Sequence, residues 1–240
     1  MHIPFTRYGL PQVLIYPAIM LVLMAVLYLV LQRGVFLAVA EGILFLVFVW
    51  MLLFFRDPRR VIPLNENVLL SPADGTVTEI TETECPELGG RAVRIGIFLS
   101  VFNVHINRVP CSVGIEEVNY RKGKFKNAMS GDSGRINESN DILMKRTAEP
   151  RDRLLVRQVS GAIARRIVCE AKPGLEYAQG AVFGMIKFGS RTELYIPLKD
   201  PGQIGPTQTG SARAEPAWDI AVKVGDKVNA GLSPLAVYKP

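Results

Sequence analysis

The chain has 240 residues, 49% of them hydrophobic, and carries a formal net charge of +6. This length accommodates one medium-sized domain and an accessory segment. Its three cysteines, Cys85, Cys111 and Cys169, lack CxxC spacing, which disfavours a zinc site or disulfide framework and favours free thiols in a reducing compartment. With only two histidines in the chain, no metal site is predicted.

Two apolar segments occupy the N-terminus. Residues 13–31 carry no charge and residues 35–55 carry only Glu41, and each is long enough for a helix that crosses a hydrocarbon core of about 30 Å. Arg33-Gly34 separates them, so a membrane-anchoring helical hairpin is predicted over residues 1–55. A hairpin that lies in one leaflet is the alternative. A signal peptide is disfavoured, because a second apolar segment follows the first.

The flanking cations predict the orientation of the hairpin. Arg7 precedes the first apolar segment and three arginines follow the second between residues 56 and 60, whereas only Arg33 lies in the connecting turn. Because short cytoplasmic segments carry the excess of Lys and Arg, both ends of the hairpin are expected in the cytoplasm. The domain of residues 56–240 is therefore predicted to lie on the cytoplasmic face of the cell membrane.

Residues 56–240 have the pattern of a mainly-β domain, with short alternating or β-branched runs separated by turn pairs. The runs are NVLL (67–70), TVTEI (76–80), AVRIGIFL (92–99), VGIEEVNY (113–120), LLVRQV (154–159), TELYIP (192–197) and DIAVKV (219–224). Residues 127–141 and 200–217 are predicted to be loops. Residues 222–236 resemble the hairpin of a biotinyl or lipoyl carrier barrel, but without a carrier lysine, so we expect a compact, barrel-sandwich-like architecture.

Positive charge is concentrated in two windows of this domain. Residues 121–126 (RKGKFK) carry four cations and no acid, and residues 145–166 carry seven cations and two acids. Beside a membrane anchor such segments suit anionic phospholipid headgroups, each cation contributing ~1 kcal/mol near the surface. The alternative is a solvated face. Nucleic acid is not predicted as a partner, because the anchor already places the charge beside an anionic surface.

The stretch FGMIKFGSRTELYIP (183–197) places Gly189-Ser190 between two β-like runs. In a constrained turn the Ser190 hydroxyl can attack the Gly189 carbonyl, and glycine tolerates the strained dihedrals that such a turn needs. Elimination from the resulting ester leaves a Gly189 carboxylate and, after loss of ammonia, a pyruvoyl group. A Gly-Ser pair alone is also compatible with an ordinary turn, and Gly210-Ser211 is a second such pair.

Six motifs in a fixed order resemble one family. They are FFRDPRR (54–60), LSPADGTV (70–77), GIFLSVFNVHINRVP (96–110), NES (137–139), VRQVSGAIARRIVC (156–169) and KFGSRTELYIP (187–197). Together they resemble the short, membrane-bound branch of the phosphatidylserine decarboxylase family. The resemblance implies autocatalytic cleavage at Gly189-Ser190 into a β chain of residues 1–189 and an α chain of residues 190–240, with Ser190 converted to the pyruvoyl cofactor.

The same resemblance implies a reaction and a set of site residues. The pyruvoyl group would decarboxylate phosphatidylserine to phosphatidylethanolamine, with His105 as the acid that protonates the product carbon, although His105 could also be structural. Asp74 matches an acidic member of the site, and Asn107 and Arg108 are candidates for binding substrate or polarising the scissile carbonyl. Longer members read DYHRxHxP; here Arg108 replaces their second histidine, which leaves the self-cleavage base open.

Two alternatives to this function are compatible with the sequence. Archaetidylserine decarboxylation would use the same headgroup chemistry. A membrane-tethered, non-enzymatic barrel-sandwich adaptor is suggested by residues 222–236, although the long helical hairpin of such adaptors is not visible within the domain. The expected partners are a phospholipid substrate, an anionic membrane and the two chains of one precursor. An exposed β edge would permit a homodimer.

Overall fold

The computed structural model describes residues 5–31, 34–126, 133–161, 166–187, 189–198 and 218–239. The chain divides into two compact units, Met1–Arg59 and Arg60–Pro240. The predicted loop at residues 200–217 and residues 127–132 of the other predicted loop lie outside the described residues.

The first unit contains a pair of apolar helices, as predicted. Helix α1 spans Leu10–Val30 and helix α2 spans Val35–Phe54. Both helices are long and apolar enough to cross a membrane. Many of their large side chains are exposed, for example Leu29 at 81% and Val35 at 82%. Because exposed apolar surface of this extent is unfavourable in water, the pair suggests association with a membrane.

The second unit contains fourteen described strands and one short helix. The strands are β1 (Val68–Leu70), β2 (Gly75–Cys85), β3 (Gly90–Leu99), β4 (Ile106–Arg108), β5 (Val113–Arg121), β6 (Ser139–Arg146), β7 (Arg153–Val159), β8 (Arg166–Cys169), β9 (Glu176–Tyr177), β10 (Val182–Lys187), β11 (Ser190–Pro197), β12 (Trp218–Ile220), β13 (Lys227–Val228) and β14 (Pro234–Tyr238). Helix α3 spans Ser133–Ile136. Residues 133–141, predicted to be a loop, therefore form α3 and the start of β6.

Three sheets surround one hydrophobic core. The large sheet has the order β13-β2-β3-β11-β7-β6-β5-β9, and two three-stranded sheets have the orders β1-β14-β12 and β4-β10-β8. The core draws side chains from all three sheets, including Leu69, Phe183, Leu194, Trp218 and Leu235. The mainly-β class is confirmed. The strands that the structure describes form three sheets without a closed barrel.

Strand β11 lies near the middle of the large sheet and is hydrogen-bonded on both sides. It pairs with β3 along its whole length, from Ser190 opposite Leu99 to Pro197 opposite Ala92, and with β7 over five residues. Side chains alternate across a strand, so Leu194 and Ile196 enter the core while the residues between them face the other side. This double pairing fixes the register of Ser190.

The outer face of β11 carries a buried ionic network. Arg191 and Glu193 are 1% and 0% exposed, and their side chains lie 2.8 Å apart. Tyr195 donates a hydrogen bond to Glu193 at 2.7 Å, and Arg191 also contacts Glu79 of β2. Burial alone raises the pKa of Glu79, but its contacts with two arginines outweigh burial and lower that pKa. The network joins β11 to β2 across β3.

Trp218 anchors the last part of the chain to the large sheet. Its side chain is fully buried, and its Nε1 donates a hydrogen bond to Asp152 at 2.9 Å. The guanidinium of Arg146, at the end of β6, lies 4.7 Å from the indole ring, and the ring of Tyr238 lies 5.3 Å from it. The indole thus combines burial, a hydrogen bond and a cation–π contact.

We expect Trp218→Ala to destabilise the protein by about 3–5 kcal/mol, because it leaves a large cavity and removes the hydrogen bond to Asp152 Oδ2. Thermal unfolding of the full chain in detergent, followed by circular dichroism, measures the loss. Val224→Ala, at a side chain that is 58% exposed, is the control and should change the midpoint little. Equal shifts for the two variants would contradict the anchoring role.

Candidate active site

The Gly189-Ser190 bond lies where the chain passes from one sheet to another. Strand β10 of a small sheet ends at Lys187 and β11 of the large sheet begins at Ser190. Gly189 has φ +63°, in the left-handed region that favours glycine. A Cβ built there meets Val101 at 3.8 Å, an ordinary contact. The backbone conformation, and not a lack of space, therefore requires glycine.

The Ser190 hydroxyl is buried. The residue is 0% exposed, and its Oγ makes no hydrogen bond to any residue that the structure describes. A buried polar group in this state costs about 1–3 kcal/mol and indicates a functional constraint. Because Ser190 is an even number of residues from Leu194, its side chain faces the inner, core side of the sheet.

Strand register brings distant residues to the same end of the sheet. Ser190 is opposite Leu99, and Thr76 is opposite Phe98. Extending both registers to Ser100 sets Asp74 and Gly189 at the same level on either side of β3. Their backbones are separated by two strand spacings, roughly 10 Å. The SPADG turn and the Gly-Ser bond, more than 100 residues apart in sequence, thus share one site.

Asp74 is held by a bidentate ion pair. Arg60 donates to its two carboxylate oxygens at 2.7 and 2.8 Å, and the backbone N–H of Ala230 donates to Oδ1 at 2.7 Å. Asp74 is 5% exposed. These contacts fix the turn between β1 and β2 and also tie it to residues 229–231. They are the contacts of a positioning group, and they use both carboxylate oxygens.

His105 is fully buried between β3 and β4. Its Nδ1 lies 2.9 Å from the backbone oxygen of Asn103. Since a carbonyl oxygen only accepts, Nδ1 carries the proton in the neutral ring and Nε2 carries the lone pair. The backbone oxygen of His105 accepts from Ile186 at 3.3 Å, which holds the histidine beside the end of β10, three residues before Gly189.

Asn107 belongs to a buried chain of amides and hydroxyls. Its Nδ2 donates to Thr192 Oγ1 at 3.1 Å, and its Oδ1 accepts from Gln158 Nε2 at 2.9 Å. Gln158 in turn accepts from Asn140 at 3.3 Å. These residues are at most 3% exposed. The network occupies the inner face of the sheet next to Ser190, where apolar core gives way to polar groups.

Arg108 is directed to another part of the site. Its NH1 donates to the backbone oxygen of Gly180 at 3.0 Å, and its backbone N–H donates to Pro72. The side chain also packs closely against Gly231, where an added Cβ would lie 3.0 Å from Arg108 Cδ. The guanidinium thus bridges two turns, one on each side of the predicted cleavage point in sequence.

Ser160 and Lys187 were not among the predicted site residues. Val159 pairs with Arg191, so the next position in register sets Ser160 opposite Ser190, and Ser160 Oγ is buried with no hydrogen bond to a described residue. Lys187 is 5% exposed; burial lowers the pKa of its ammonium, and nearby Arg166 lowers it further. Lys187 is two residues before Gly189, a signal that the sequence itself offered.

Comparison with known proteins shows the family to which the chain belongs. The family described as phosphatidylserine decarboxylase matches residues 47–235. The chain belongs to this family. A protein named phosphatidylserine decarboxylase proenzyme from Rhodopirellula baltica is 40% identical over 241 residues, covering 99% of this chain and 89% of its own length. Another of that name, from Carboxydothermus hydrogenoformans, is 48% identical over 156 residues, covering 65% and 72% of the two chains.

A third relative, from Rickettsia africae, is 42% identical over 164 residues, which is 67% of this chain and 70% of that protein. The resemblance identified from the sequence motifs is therefore confirmed. These matches do not favour the alternative of a non-enzymatic adaptor.

We expect Gly189→Ala to slow cleavage of the precursor, because a left-handed residue with a side chain costs roughly 1–2 kcal/mol and relaxation would turn the carbonyl. Mass spectrometry of freshly expressed protein gives the fraction cleaved. Gly174→Ala is the matched control, since Gly174 has φ +84° with open space around it. It carries the same backbone cost and should be cleaved normally. Equal cleavage of both variants would remove the special role of the Gly189 conformation.

Proposed function

We propose that the chain is a proenzyme that cleaves itself at Gly189-Ser190 and then decarboxylates phosphatidylserine to phosphatidylethanolamine. The observation that carries this function is the buried Ser190 hydroxyl, without a partner among the described residues, beside a left-handed glycine. The decarboxylase names of the relatives, which also call them proenzymes, agree with it.

Self-cleavage uses atoms that the fold places next to one another. Ser190 Oγ forms a bond to the Gly189 carbonyl carbon, the C–N bond breaks, and the hydroxyl proton passes to the Ser190 nitrogen. Loss of the Ser190 Cα proton then breaks the Cβ–O bond and releases the Gly189 carboxylate. Water replaces the nitrogen, which leaves as ammonia, and residue 190 becomes the pyruvoyl N-terminus of the α chain.

The residues around position 190 fit a pyruvoyl group. The Ser190 side chain is buried with no hydrogen bond to a described residue. Thr192, two residues further along the same face of β11, belongs to a buried polar network with Asn107 and Gln158. When formed, the group supplies a carbonyl that takes up the electrons released as CO₂ leaves.

His105 is proposed to deliver the proton to the product carbon. The Asn103 carbonyl fixes the orientation of its ring and leaves Nε2 as the nitrogen that exchanges a proton. Full burial keeps bulk water from that nitrogen. His105 is held to Ile186 through the backbone, so it moves with β10 and stays near the cleavage point.

Asp74, Asn107 and Arg108 have distinct proposed roles. Asp74 positions the turn that flanks the scissile bond, since Arg60 and Ala230 already occupy its oxygens. Asn107 orients the amide network beside residue 190. Arg108 supplies a cation for the substrate carboxylate or phosphate, for which a planar guanidinium is well suited.

The surroundings of the substrate are also proposals. The helical pair suggests association with a membrane, and we propose that it anchors the enzyme with the catalytic unit on the cytoplasmic face, next to anionic lipid. Cleavage would leave a β chain of residues 1–189 and an α chain of residues 190–240. Because β11 pairs with β3 and β7 of the other chain, the two would stay together.

Ser190→Ala should give a single uncleaved and inactive chain, because no hydroxyl remains to attack Gly189. Ser211→Ala, at the second Gly-Ser pair, is the matched control and should be cleaved and active. Intact-mass measurement and release of labelled CO₂ from phosphatidylserine provide the two readouts. Cleavage after Gly210 in either protein would move the active site.

Carbonyl reagents test the cofactor directly. Hydroxylamine should abolish the activity of the cleaved enzyme, and borohydride added with substrate should attach the lipid amine to the α chain. Full activity after carbonyl blocking would contradict a pyruvoyl mechanism.

His105→Ala should still be cleaved but should lose about 10²–10⁴-fold in decarboxylation, the usual range for a missing general acid. Asp74→Ala should have the opposite effect and accumulate the precursor. Cleaved fraction and turnover are measured on the same preparations. A His105→Ala protein that is never cleaved, beside a normally cleaved Asp74→Ala protein, would reverse these assignments.

Arg60→Gln separates the two ways in which Asp74 could act. It breaks the ion pair but leaves the Asp74 carboxylate in place. If Asp74 acts by holding the turn, Arg60→Gln and Asp74→Asn should slow cleavage to a similar extent. Normal cleavage of Arg60→Gln with failed cleavage of Asp74→Asn would instead assign the carboxylate a direct part in proton transfer.

A further inference from the structure

The end of the large sheet that carries Ser190 also carries two exposed features. The first is the turn Ser100–Asn103 after β3, with Phe102 at its tip and 73% exposed. The second is the basic segment, residues 121–126 at the end of β5, whose Phe125 is 40% exposed. Strand pairing shows the shared end, because Arg121, Ser139, Val159, Arg191 and Phe98 form one continuous row.

The turn at Phe102 is fixed by its own hydrogen bonds. Asn103 Oδ1 accepts from the Ser100 backbone N–H at 2.9 Å and from the Ser100 hydroxyl at 2.8 Å. The Asn103 backbone N–H donates to the Ser100 oxygen at 2.9 Å. The turn therefore presents a large aromatic ring outward from a rigid base, next to Val101, which lies close to Gly189.

The backbone of the basic segment is fixed while its three lysines are exposed, and the Arg121 guanidinium donates to the backbone oxygen of Gly134. Lys126 N–H donates to Asn137 Oδ1 at 2.9 Å, and Asn137 Nδ2 donates back to the Lys126 oxygen at 2.8 Å. Lys124 exchanges backbone hydrogen bonds with Ile136 and Glu138. The side chains of residues 121–126 are nevertheless exposed. A pinned backbone with outward cations is suited to contacting a charged surface.

The basic segment gives this end of the sheet an excess of positive charge. The basic segment contributes four cations. Among the described residues near this end, the carboxylate of Asp74 is paired with Arg60 and that of Glu138 is hydrogen-bonded to Tyr120. Cations interleaved with exposed aromatic rings favour an interface of anionic lipid headgroups, where rings insert at the level of the headgroups and cations meet phosphates.

Ser190 lies between these two features. In the sheet order β3-β11-β7-β6-β5, Phe102 follows β3 and the basic segment follows β5, so they are four strand spacings apart, roughly 19 Å. The catalytic unit also begins at this end, because Arg60 is bonded to Asp74. A flat lipid surface that meets both features lies against the end of the sheet at which β11 begins with Ser190.

We propose that the Phe102 turn and the basic segment form a docking surface for an anionic phospholipid bilayer. This surface is distinct from the helical pair, and it holds the active site against the lipid headgroups. The surface rests on the proposed function, since it presents lipid headgroups to residue 190. Its occupant is the bilayer that contains the substrate. Docking shortens the distance that a lipid headgroup must move out of the membrane to reach residue 190.

Tryptophan fluorescence in the full chain tests the contact without using activity. Phe102→Trp protein is reconstituted in phosphatidylserine–phosphatidylcholine vesicles with brominated acyl chains. Its emission should be quenched beyond the background from Trp50 and Trp218. Leu175→Trp is the matched control, because Leu175 is 47% exposed beside the start of β5, at the opposite end of the sheet, and it should show background quenching only.

Activity provides the second readout, as the ratio of the rate in vesicles to the rate in mixed detergent micelles. Each cation near an anionic surface is worth about fivefold in binding, so Lys122→Gln with Lys124→Gln should lower this ratio by about 25-fold. High salt should lower the wild-type ratio as well. Lys145→Gln with Lys172→Gln, a pair of exposed lysines near the opposite end, should not change it.

The outcomes separate the two levels of inference. Wild-type protein that is uncleaved and releases no CO₂ in either medium would overturn the proposed function. Active wild-type protein with only background quenching at position 102, or an equal fall in ratio for both lysine pairs, would overturn the docking surface alone. A blue-shifted Phe102→Trp emission that brominated lipid does not quench would show a protein partner on the turn, and would also overturn it.

Discussion

The hydrogen bonding of β11 to β3 on one side and to β7 on the other is the constraint on which the rest of the site depends. It places Ser190 opposite Leu99 and fixes the residue at the edge of a core. The ionic network of Arg191 and Glu193 holds the outer face of the same strand. Because β10 belongs to a different sheet, the backbone has to change direction just before Ser190. A glycine in the left-handed region is the result.

The inner face of the large sheet changes character along its length. Around Leu194 and Ile196 it is apolar and contributes to the main core. Towards Ser190 the same face carries Thr192 and Gln158, which bond to Asn107 of the facing sheet. Polar groups buried at this end lower the stability that an apolar core would provide, unless each finds a partner. The network satisfies most of them, and the hydroxyls of Ser190 and Ser160 are exceptions among the described residues.

Local sequence patterns predicted the strands and helices but not the contacts between residues that are distant in sequence. The runs at 92–99 and 192–197 lie within β3 and β11, and the two apolar segments are α1 and α2. The run at 219–224 is strand only to Ile220, because Gly225 and its neighbours form a turn bonded to Val77. The tie between Arg60 and Asp74, and the position of Ser160 opposite Ser190, arise from pairing between distant strands, which periodicity does not encode. Family resemblance supplied the predicted site residues, whose roles the fold alone does not test.

The central position of β11 in the large sheet also affects whether the protein can refold after cleavage. While the chain is whole, the strand reaches its slot between β3 and β7 as part of one molecule, so assembly is independent of concentration. If the chain is cut at the proposed Gly189-Ser190 bond, the same position is filled by a separate 190–240 segment, and recovery after denaturation becomes a second-order encounter between two chains. The intact precursor thus carries the ability to fold, and the cut product keeps its shape mainly through slow unfolding.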